Sequence, residues 1–193
     1  MSKNIVVING HPDDESLCSS IADKYISGAR NADHKVEYLC LRELKFDYML
    51  HHGFRLPQDL EPDILRSQEK IRKADHVVFI TPLWWGSMTG LLKCFMDRVL
   101  VNGFSQQYNP NTKKMDKLLK GKTASVIYTQ SASKFATRFL LHDGFWHMFK
   151  NGSLRFCGFE KIKRCYFSKI SKKSKNDIGN ILIKIEKLGK NGF

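Results

Sequence analysis

The sequence predicts an α/β domain in which helices cover both faces of a parallel sheet. Five short apolar runs rich in β-branched residues alternate with longer segments of helical periodicity. The chain has 193 residues, of which 42% are hydrophobic and 26% are charged, so it can bury the core of one domain. We therefore predict a single doubly wound domain over residues 1–193.

Each apolar run has the length and composition of a buried strand. The predicted strands are Asn4 to Asn9, Lys35 to Leu41, His76 to Thr81, Thr123 to Thr129, and Lys161 to Phe167. Segments with helical spacing lie between and after them. The predicted helices are Ser16 to Arg30, Asp63 to Ala74, Gly90 to Val101, Ala136 to Asn151, and Lys175 to Leu188.

This number of βα units in about 190 residues predicts the strand order 2-1-3-4-5 of the flavodoxin-like fold. In such sheets a ligand binds beyond the carboxyl ends of the strands, where the strand order reverses between strands one and three. The loops after the first, third and fourth strands should therefore carry the function. The stretch from Lys45 to Pro62 is predicted to be a loop or an irregular helix that overhangs the site.

The formal net charge is +13, from 32 Lys and Arg against 19 Asp and Glu. Such an excess attracts nucleic acid, anionic membranes or phosphate-bearing cofactors. Much of it lies near the C-terminus without the interleaved aromatic residues of single-strand binders. We interpret that region as a solvated basic face and expect no nucleic-acid partner.

The apolar run at residues 5–8 is too short for a signal peptide, and no segment approaches the ~20 apolar residues of a membrane span. We expect a cytoplasmic protein without a membrane span. The cysteines are odd in number and form no CxxC motif, so we expect reduced packing residues rather than a disulfide or zinc framework. They are Cys18, Cys40, Cys94, Cys157 and Cys165.

The loop after the first strand leads directly into a helix N-terminus, where free backbone N–H groups bind phosphate. We predict that His11, Ser16 and the amides of Leu17 and Cys18 face a cofactor phosphate. The acidic run Asp13-Asp14-Glu15 would repel that phosphate unless its side chains point outward or cap the helix.

The same loop reads His11-Pro12-Asp13-Asp14-Glu15, which resembles the signature of zinc-dependent N-acetylglucosaminyl deacetylases. That resemblance implies a metal bound by a His and an Asp, with a neighbouring Asp as general base. A catalytic zinc normally has three protein ligands, and the HxxH pair that supplies another in that family is missing here. A zinc-dependent deacetylase is therefore kept as an alternative function, and no metal site is predicted.

The loop after the third strand reads Pro82-Leu83-Trp84-Trp85-Gly86, and the helix that follows contains Lys93 and Asp97-Arg98-Val99. Two adjacent tryptophans at the carboxyl edge of a sheet are costly to expose unless they cover something flat and apolar. We predict that Trp85 lies on such a ring and that the amides of residues 83–85 bind the ring's polar edge.

The run from Pro82 to Val99 resembles the flavin loop and the following helix of the NAD(P)H:quinone oxidoreductases of flavodoxin-like fold, the DT-diaphorase-like group with bacterial members. The resemblance implies FAD or FMN as cofactor, NAD(P)H as co-substrate, and ping-pong transfer of hydride to a quinone or similar small-molecule acceptor. It also implies a homodimer with the pocket at the subunit interface. The basic balance mildly favours NADPH.

Two further segments resemble the same family. The segment from Gly103 to Tyr108 is similar to a Gly-Phe-x-x-x-Tyr run that lines the substrate side of the flavin. This makes Phe104 and Tyr108 substrate-binding candidates, although both can also be loop anchors. Gln68 lies where the family has a glutamine near the flavin, and a surface glutamine is the alternative interpretation.

The fourth loop, Thr129-Gln130-Ser131-Ala132, stands where the family has a Thr-Gly-Gly turn. Side chains with a Cβ make positive φ costly, so this turn should lie farther out or have a different shape. A flavin-binding regulatory subunit with little turnover is therefore a further alternative. His142 is predicted to take the family's catalytic His role near the hydride, with an outward-facing helical histidine as the other interpretation.

The resemblance and the loop chemistry together give one set of cofactor-binding candidates. They are His11, Ser16, Leu17, Cys18, Gln68, Pro82, Leu83, Trp84, Trp85, Gly86, Thr129, Gln130, Ser131 and Ala132.

Overall fold

A computed structural model describes residues 1–192 of the chain. The seven strands are β1 (Asn4–Asn9), β2 (Lys35–Cys40), β3 (His76–Pro82), β4 (Gln106–Asn109), β5 (Lys114–Lys117), β6 (Thr123–Thr129) and β7 (Ile162–Phe167). Five of them form a parallel sheet in the order β2-β1-β3-β6-β7. Numbered among themselves, these five strands give 2-1-3-4-5, so the predicted doubly wound fold is confirmed.

The helices connect these strands across both faces of the sheet. They are α1 (Leu17–Arg30), α2 (Pro62–Lys73), α3 (Gly90–Val99), α4 (Gly144–His147), α5 (Arg155–Cys157) and α6 (Lys175–Lys190). Alternate residues of β1 point to opposite faces: Val6 and Ile8 join one core cluster with α2 and α3, whereas Ile5 and Val7 join the other with α1 and α6. Each fully buried aliphatic side chain contributes about 1.5–3 kcal/mol.

The prediction of one continuous helix from Ala136 to Asn151 is wrong. The segment begins with a π-helical stretch at Ala136–Leu140, is interrupted, and resumes as α4 and a second π-helical stretch at Met148–Leu154. The interruption lies at His142 and Asp143, whose φ angles of 48° and 52° are left-handed. At this interruption the Asp143 carboxylate forms an ion pair with Arg164 of β7.

The end of α3 also differs from the prediction, because α3 stops at Val99 rather than at Val101. Leu100 has a non-helical ψ of 52°, and the side-chain amide of Gln68 donates to the Val99 carbonyl at 3.0 Å. Beyond this helix lies the antiparallel hairpin of β4 and β5, which was not predicted. It packs outside the main sheet.

The loop from Leu44 to Glu61 is tied to α3 through Arg98. The Arg98 side chain is 1% exposed, and its guanidinium donates to the Asp59 carbonyl at 2.6 Å and to the Glu61 carboxylate at 2.9 Å. The second Glu61 oxygen accepts from the Asp47 amide at 2.9 Å. Arg98 therefore connects α3 to this loop.

A buried histidine at the start of β3 gives the fold an acid sensitivity. His76 is fully buried, with Nδ1 2.7 Å from the Thr123 hydroxyl and Nε2 3.1 Å from the Ser125 hydroxyl. Burial lowers the pKa of His76 to about 3, whereas an unfolded chain has a value of about 6.5. Between these values the unfolded chain binds a proton that the folded chain does not.

We therefore predict that the free energy of unfolding falls as the pH falls from 7 to 5, with a slope that approaches about 1.4 kcal/mol per pH unit below the unfolded pKa. Urea unfolding at pH 7, 6 and 5 measures this slope. The variant His76→Gln cannot bind the proton and should show a flatter dependence, even if it is less stable at every pH. Equal slopes for the two proteins would contradict the assignment.

Candidate functional site

The carboxyl ends of three sheet strands meet in one hydrogen-bonded rim. The Gly10 amide after β1 donates to the Ile80 carbonyl of β3 at 2.8 Å, and the Thr89 hydroxyl donates to the Gly10 carbonyl at 2.7 Å. The Leu83 amide after β3 donates to the Thr129 carbonyl of β6 at 2.7 Å. The loops after β1, β3 and β6 therefore form a single surface, as the topology predicts.

At the β1 side of this rim, α1 opens with unused backbone donors. The Ser16 hydroxyl caps the helix by accepting from the Ser19 amide at 3.1 Å. The amides of Leu17 and Cys18 donate to no group within residues 1–192. Two free N–H groups at the positive end of a 14-residue helix are suited to an anionic oxygen.

The acidic residues of the same loop are held by contacts of their own. Asp14 forms an ion pair with Arg42 at 2.5 Å, and the Asp13 carboxylate accepts from the Glu15 amide at 3.1 Å. The Nδ1 atom of His11 accepts from the Asp13 amide at 2.9 Å. Asp13, Asp14 and Glu15 are all exposed, and none of them caps α1, whose cap is Ser16.

Asn9 is a site residue that the sequence analysis missed. It is fully buried at the end of β1, where its side-chain amide donates to the hydroxyls of Ser19 at 3.2 Å and Tyr38 at 3.1 Å. Its side-chain oxygen accepts from the His11 amide at 3.1 Å. An asparagine that closes an otherwise apolar strand was the available signal, because a buried polar group needs partners.

Cys18 lies between the first and fourth loops. Its side chain is 1% exposed, and its sulfur is 3.9 Å from the Thr129 hydroxyl oxygen. Burial raises the pKa of the Cys18 thiol to about 12, so the thiol stays protonated at neutral pH and is not a nucleophile. All five cysteines are free thiols in the structure.

The loop after β3 makes a tight turn that presents Trp85 to the outside. The amide of Trp84 donates to the Ser87 carbonyl at 2.9 Å, and the amide of Ser87 donates back at 3.0 Å. Between them Trp85 and Gly86 have φ angles of 54° and 75°, the pattern of a type I′ turn. A tryptophan in the left-handed region costs about 1 kcal/mol. Strained backbone conformations of this kind cluster at binding and catalytic sites.

The two tryptophans have different environments. Trp84 is 47% exposed and lies edge-on to His11, with 5.6 Å between the ring centroids. Trp85 is 104% exposed, so its ring is free on both faces. Of the two rings, Trp85 is the more exposed.

One expectation about this loop fails for two of its three amides. The amides of residues 83–85 were predicted to bind the polar edge of a ring, but the Leu83 amide already donates to Thr129 and the Trp84 amide to Ser87. Only the Trp85 amide of the three remains unused by residues 1–192. The Leu83 amide is occupied by the pairing of β3 with β6, and the Trp84 amide is occupied by the hydrogen bond that closes the turn.

A cavity of about 180 Å³ lies between this turn and the segment that follows β6. Its walls include Leu83, Trp85 and Gly86 from one side and Gln130, Ser131 and Ala132 from the other. Tyr128 and Trp146 close its base. Predicted residues from the third and fourth loops therefore line one cavity.

The fourth loop, after β6, has no residue in the left-handed conformation that would favour glycine. None of residues 129–133 has a positive φ. Gln130 is 6% exposed, and its side-chain amide donates to the Ala132 carbonyl and the Thr137 hydroxyl, while its backbone amide donates to Phe167. Side-chain hydrogen bonds thus shape a turn in which Ser131 and Ala132 need no left-handed conformation.

His142 lies at the edge of this cavity, in the break between helical segments. Its neighbours Leu141 and Asp143 line the wall, and the His142 side chain itself is exposed. His142 is therefore not helical, but its side chain is exposed and is not part of the cavity lining. The catalytic role predicted for His142 stays a prediction, with an outward-facing histidine as the alternative.

Of the cofactor-binding candidates, Leu83, Trp85, Gly86, Gln130, Ser131 and Ala132 line the cavity, whereas His11, Ser16, Leu17 and Cys18 belong to the rim beside it. Three further candidates lie away from both the rim and the cavity. Gln68 is buried against the end of α3, about 13 Å along the helix axis from the end that touches the rim, so it is not the surface residue of the alternative interpretation. Phe104 is 5% exposed and packs under the Arg72 guanidinium, which makes it a core residue. Tyr108 is 54% exposed on β4.

Within residues 1–192, no group of three or more His, Cys, Asp or Glu side chains is placed to hold a metal ion. Over the same residues, the helices fall short of the length and apolar character needed to cross a membrane.

A family model described as flavodoxin-like fold matches residues 3–188. The chain belongs to the flavodoxin-like family. Ribosyldihydronicotinamide dehydrogenase (quinone) from Homo sapiens is 35% identical over an alignment of 125 residues, and the match covers 58% of this flavodoxin-like chain and 49% of the human protein. The chain thus spans about half the length of this relative, and the predicted resemblance to the quinone oxidoreductases is confirmed.

Solved structures agree with the flavodoxin-like assignment. Smu.1420 from Streptococcus mutans matches with a TM-score of 0.83 and 28% identity, covering 97% of this chain and 98% of that one. The NAD(P)H:quinone oxidoreductase from Methanothermobacter marburgensis matches with a TM-score of 0.88 and 18% identity over 100% of both chains. At that identity the second match concerns the fold alone.

Proposed function

We propose that this protein is a flavin-dependent oxidoreductase that transfers hydride from NAD(P)H to a quinone or similar acceptor, in two successive half-reactions at one cavity. The observation that carries the proposal is Trp85, a fully exposed ring held in a left-handed turn at the cavity wall. Each cycle oxidises one NAD(P)H and reduces one quinone to a hydroquinone, which takes up the hydride and one proton; His142 delivers that proton and is reprotonated from solvent.

The residues present fit a flavin, FMN or FAD. The free amides of Leu17 and Cys18 are suited to its phosphate, and the exposed ring of Trp85 is suited to its flat isoalloxazine. The unused Trp85 amide is the donor for its polar edge. The bound flavin would supply the capacity to accept and release hydride, while the chain supplies position and polarity.

His142 is the proposed proton donor on the substrate side. Its exposed imidazole follows Leu141 and precedes Asp143, both in the cavity wall. An imidazole can donate a proton to an oxyanion that develops on a substrate. No hydrogen bond within residues 1–192 occupies its ring, so the ring is available to a substrate oxygen.

We further propose that the protein is a cytoplasmic homodimer. Large apolar side chains are exposed near the cavity, among them Phe135, Phe139 and Leu140 at 66%, 57% and 71%. A contiguous apolar surface of this kind marks an interaction site. In a dimer the exposed Tyr108 would be available to a partner's cavity.

The first experiment is a visible spectrum of the purified protein after incubation with FMN or FAD and desalting. We expect retained bands near ~370 and ~450 nm, as for a bound oxidised flavin, and bleaching of the ~450 nm band by NADPH or NADH. Light scattering on the same sample gives the oligomeric state. Both flavins are tested because each carries a phosphate that the N-terminus of α1 could bind, so the site geometry does not distinguish FMN from FAD.

The outcomes separate the alternatives. Flavin that is retained but bleaches slowly, and is not reoxidised by a quinone, would indicate a flavin-binding regulatory subunit. Failure to retain either flavin, together with stoichiometric zinc on the same sample, would reject the oxidoreductase and favour the deacetylase.

A further inference from the structure

The chain between β6 and β7 is basic. From Tyr128 to Lys169 the sequence has eight Lys and Arg and two acidic residues, Asp143 and Glu160, although Lys161 and Lys163 lie with Glu160 at the amino end of the sheet. Glu160 accepts from the amide of Gly121, which precedes β6 at the amino end of the sheet, away from the cavity. Asp143 is the single charged residue in the cavity wall.

The charge of Asp143 is already neutralised. Its two carboxylate oxygens lie 3.1 Å and 3.2 Å from the two terminal nitrogens of Arg164. A paired arrangement of this kind fixes both side chains. The wall consequently presents no free negative charge to a ligand.

Cations lie over the aromatic rings on this side of the molecule. The Arg164 guanidinium is 5.3 Å from the Trp146 ring centroid and 5.1 Å from that of Tyr166. The amino group of Lys134 is 5.6 Å from the Tyr166 centroid, and that of Lys150 is 5.3 Å from the Trp146 centroid.

Lys134 and Arg138 flank Thr137, which lines the cavity, and both side chains are exposed. Among residues 1–192 neither of them pairs with a carboxylate. Neither side chain lines the cavity itself; Lys134 lies over the Tyr166 ring and Arg138 over the Phe139 ring. Two cations without a carboxylate partner therefore follow and precede wall residues in the chain, beside an aromatic-walled cavity.

We propose that the substrate of this cavity is a planar aromatic anion, whose sulfonate, carboxylate or phosphate group binds Lys134 and Arg138. The inference rests on the proposed function, because it names the class of compound that reacts there. Aromatic walls stack on a planar ring, and charge-assisted hydrogen bonds to Lys and Arg are about twice as strong as neutral ones. A cavity with cations of one sign also raises the rate of encounter with anions.

Two sources can supply this chemistry, an anionic quinone acceptor and the 2′-phosphate of NADPH. The test measures kcat/KM for 1,2-naphthoquinone-4-sulfonate and for the neutral menadione, and separately for NADPH and NADH. The flavin-loaded wild type is compared with Lys134→Gln, Arg138→Gln and the double variant. Lys187→Gln is the matched control, since Lys187 is exposed on α6 across the sheet.

We expect the double variant to lose about ten-fold in kcat/KM for either 1,2-naphthoquinone-4-sulfonate or NADPH. The matching compound without the extra anionic group, menadione or NADH, should change less than two-fold. A loss with the sulfonated quinone identifies the acceptor as the anion, and a loss with NADPH identifies the 2′-phosphate. If neither ratio differs from that of Lys187→Gln, the proposal is overturned.

A binding measurement keeps this test separate from the activity. Anthraquinone-2-sulfonate is titrated against the tryptophan fluorescence of the flavin-loaded protein, with neutral 2-hydroxymethylanthraquinone as its partner. Tighter binding of the sulfonate, lost in the double variant, supports the inference even if no quinone is reduced, in which case only the proposed function fails. Equal affinities for the two compounds in the wild type would overturn the inference.

Discussion

Gly28→Ala is expected to lower the free energy of unfolding by about 3 kcal/mol or to prevent folding. A Cβ at Gly28 would lie 2.1 Å from the carbonyl oxygen of Glu186, and one at Gly189 would lie 2.2 Å from that of Tyr25. The two glycines thus let α1 and α6 touch backbone to backbone. Because both obstacles are backbone atoms, the helices must separate, and such overpacking typically costs about 1–3 kcal/mol.

Gly179→Ala is the matched control on α6. A Cβ there meets nothing within 4 Å, so the variant gains helix propensity and should be more stable by up to about 1 kcal/mol. Urea unfolding of Gly28→Ala, Gly189→Ala and Gly179→Ala, followed by circular dichroism, gives the comparison. The assigned contact between α1 and α6 fails if Gly28→Ala is as stable as the control.

The sheet could be predicted because its strands are buried on both faces. Such strands appear in the sequence as continuous apolar runs, and four of the five predicted strands begin at the observed residue. The interruption at His142 could not be seen in this way. At the interruption Asp143 pairs with Arg164, which lies 21 residues further along the chain. The hydrophobic periodicity of a segment carries no information about a partner at that distance.

The hairpin of β4 and β5 was missed for a different reason. Each strand has four residues, and all four residues of β5 are exposed. The apolar alternation that indicates a strand is therefore lacking. The Asn109 side chain, which accepts from the amides of Asn111 and Thr112, shapes the connecting turn.

At the site, the topology predicted which loops meet but not how their backbone groups are used. The β3 register commits the Leu83 amide to Thr129, and the tight turn commits the Trp84 amide to Ser87. A side-chain network around Gln130 replaces the glycines expected after β6. Whether a turn is shaped by glycine backbone conformations or by side-chain hydrogen bonds depends on three-dimensional contacts, which the identity of the residues does not specify.

Trp85→Ala is expected to weaken flavin binding by about 30-fold while leaving the stability of the flavin-free protein unchanged. The side chain is fully exposed, so it makes few contacts that folding would lose. Stacking of a ring on an aromatic side chain contributes about 1–3 kcal/mol, and about 2 kcal/mol corresponds to a change of about 30-fold in Kd. Fluorescence titration with FMN and FAD measures the affinity, and Trp85→Phe should retain most of it.

Trp85→Gly separates the role of the ring from that of the turn. Glycine adopts the φ of 54° without the penalty of about 1 kcal/mol that a tryptophan incurs. The flavin-free variant should therefore be more stable than the wild type, whereas its flavin affinity should fall as in Trp85→Ala. A gain in the stability of the flavin-free protein together with a loss of flavin affinity is expected only if the strained conformation of Trp85 places its ring for flavin binding. Unchanged flavin affinity in both variants would show that the Trp85 ring does not contact the flavin.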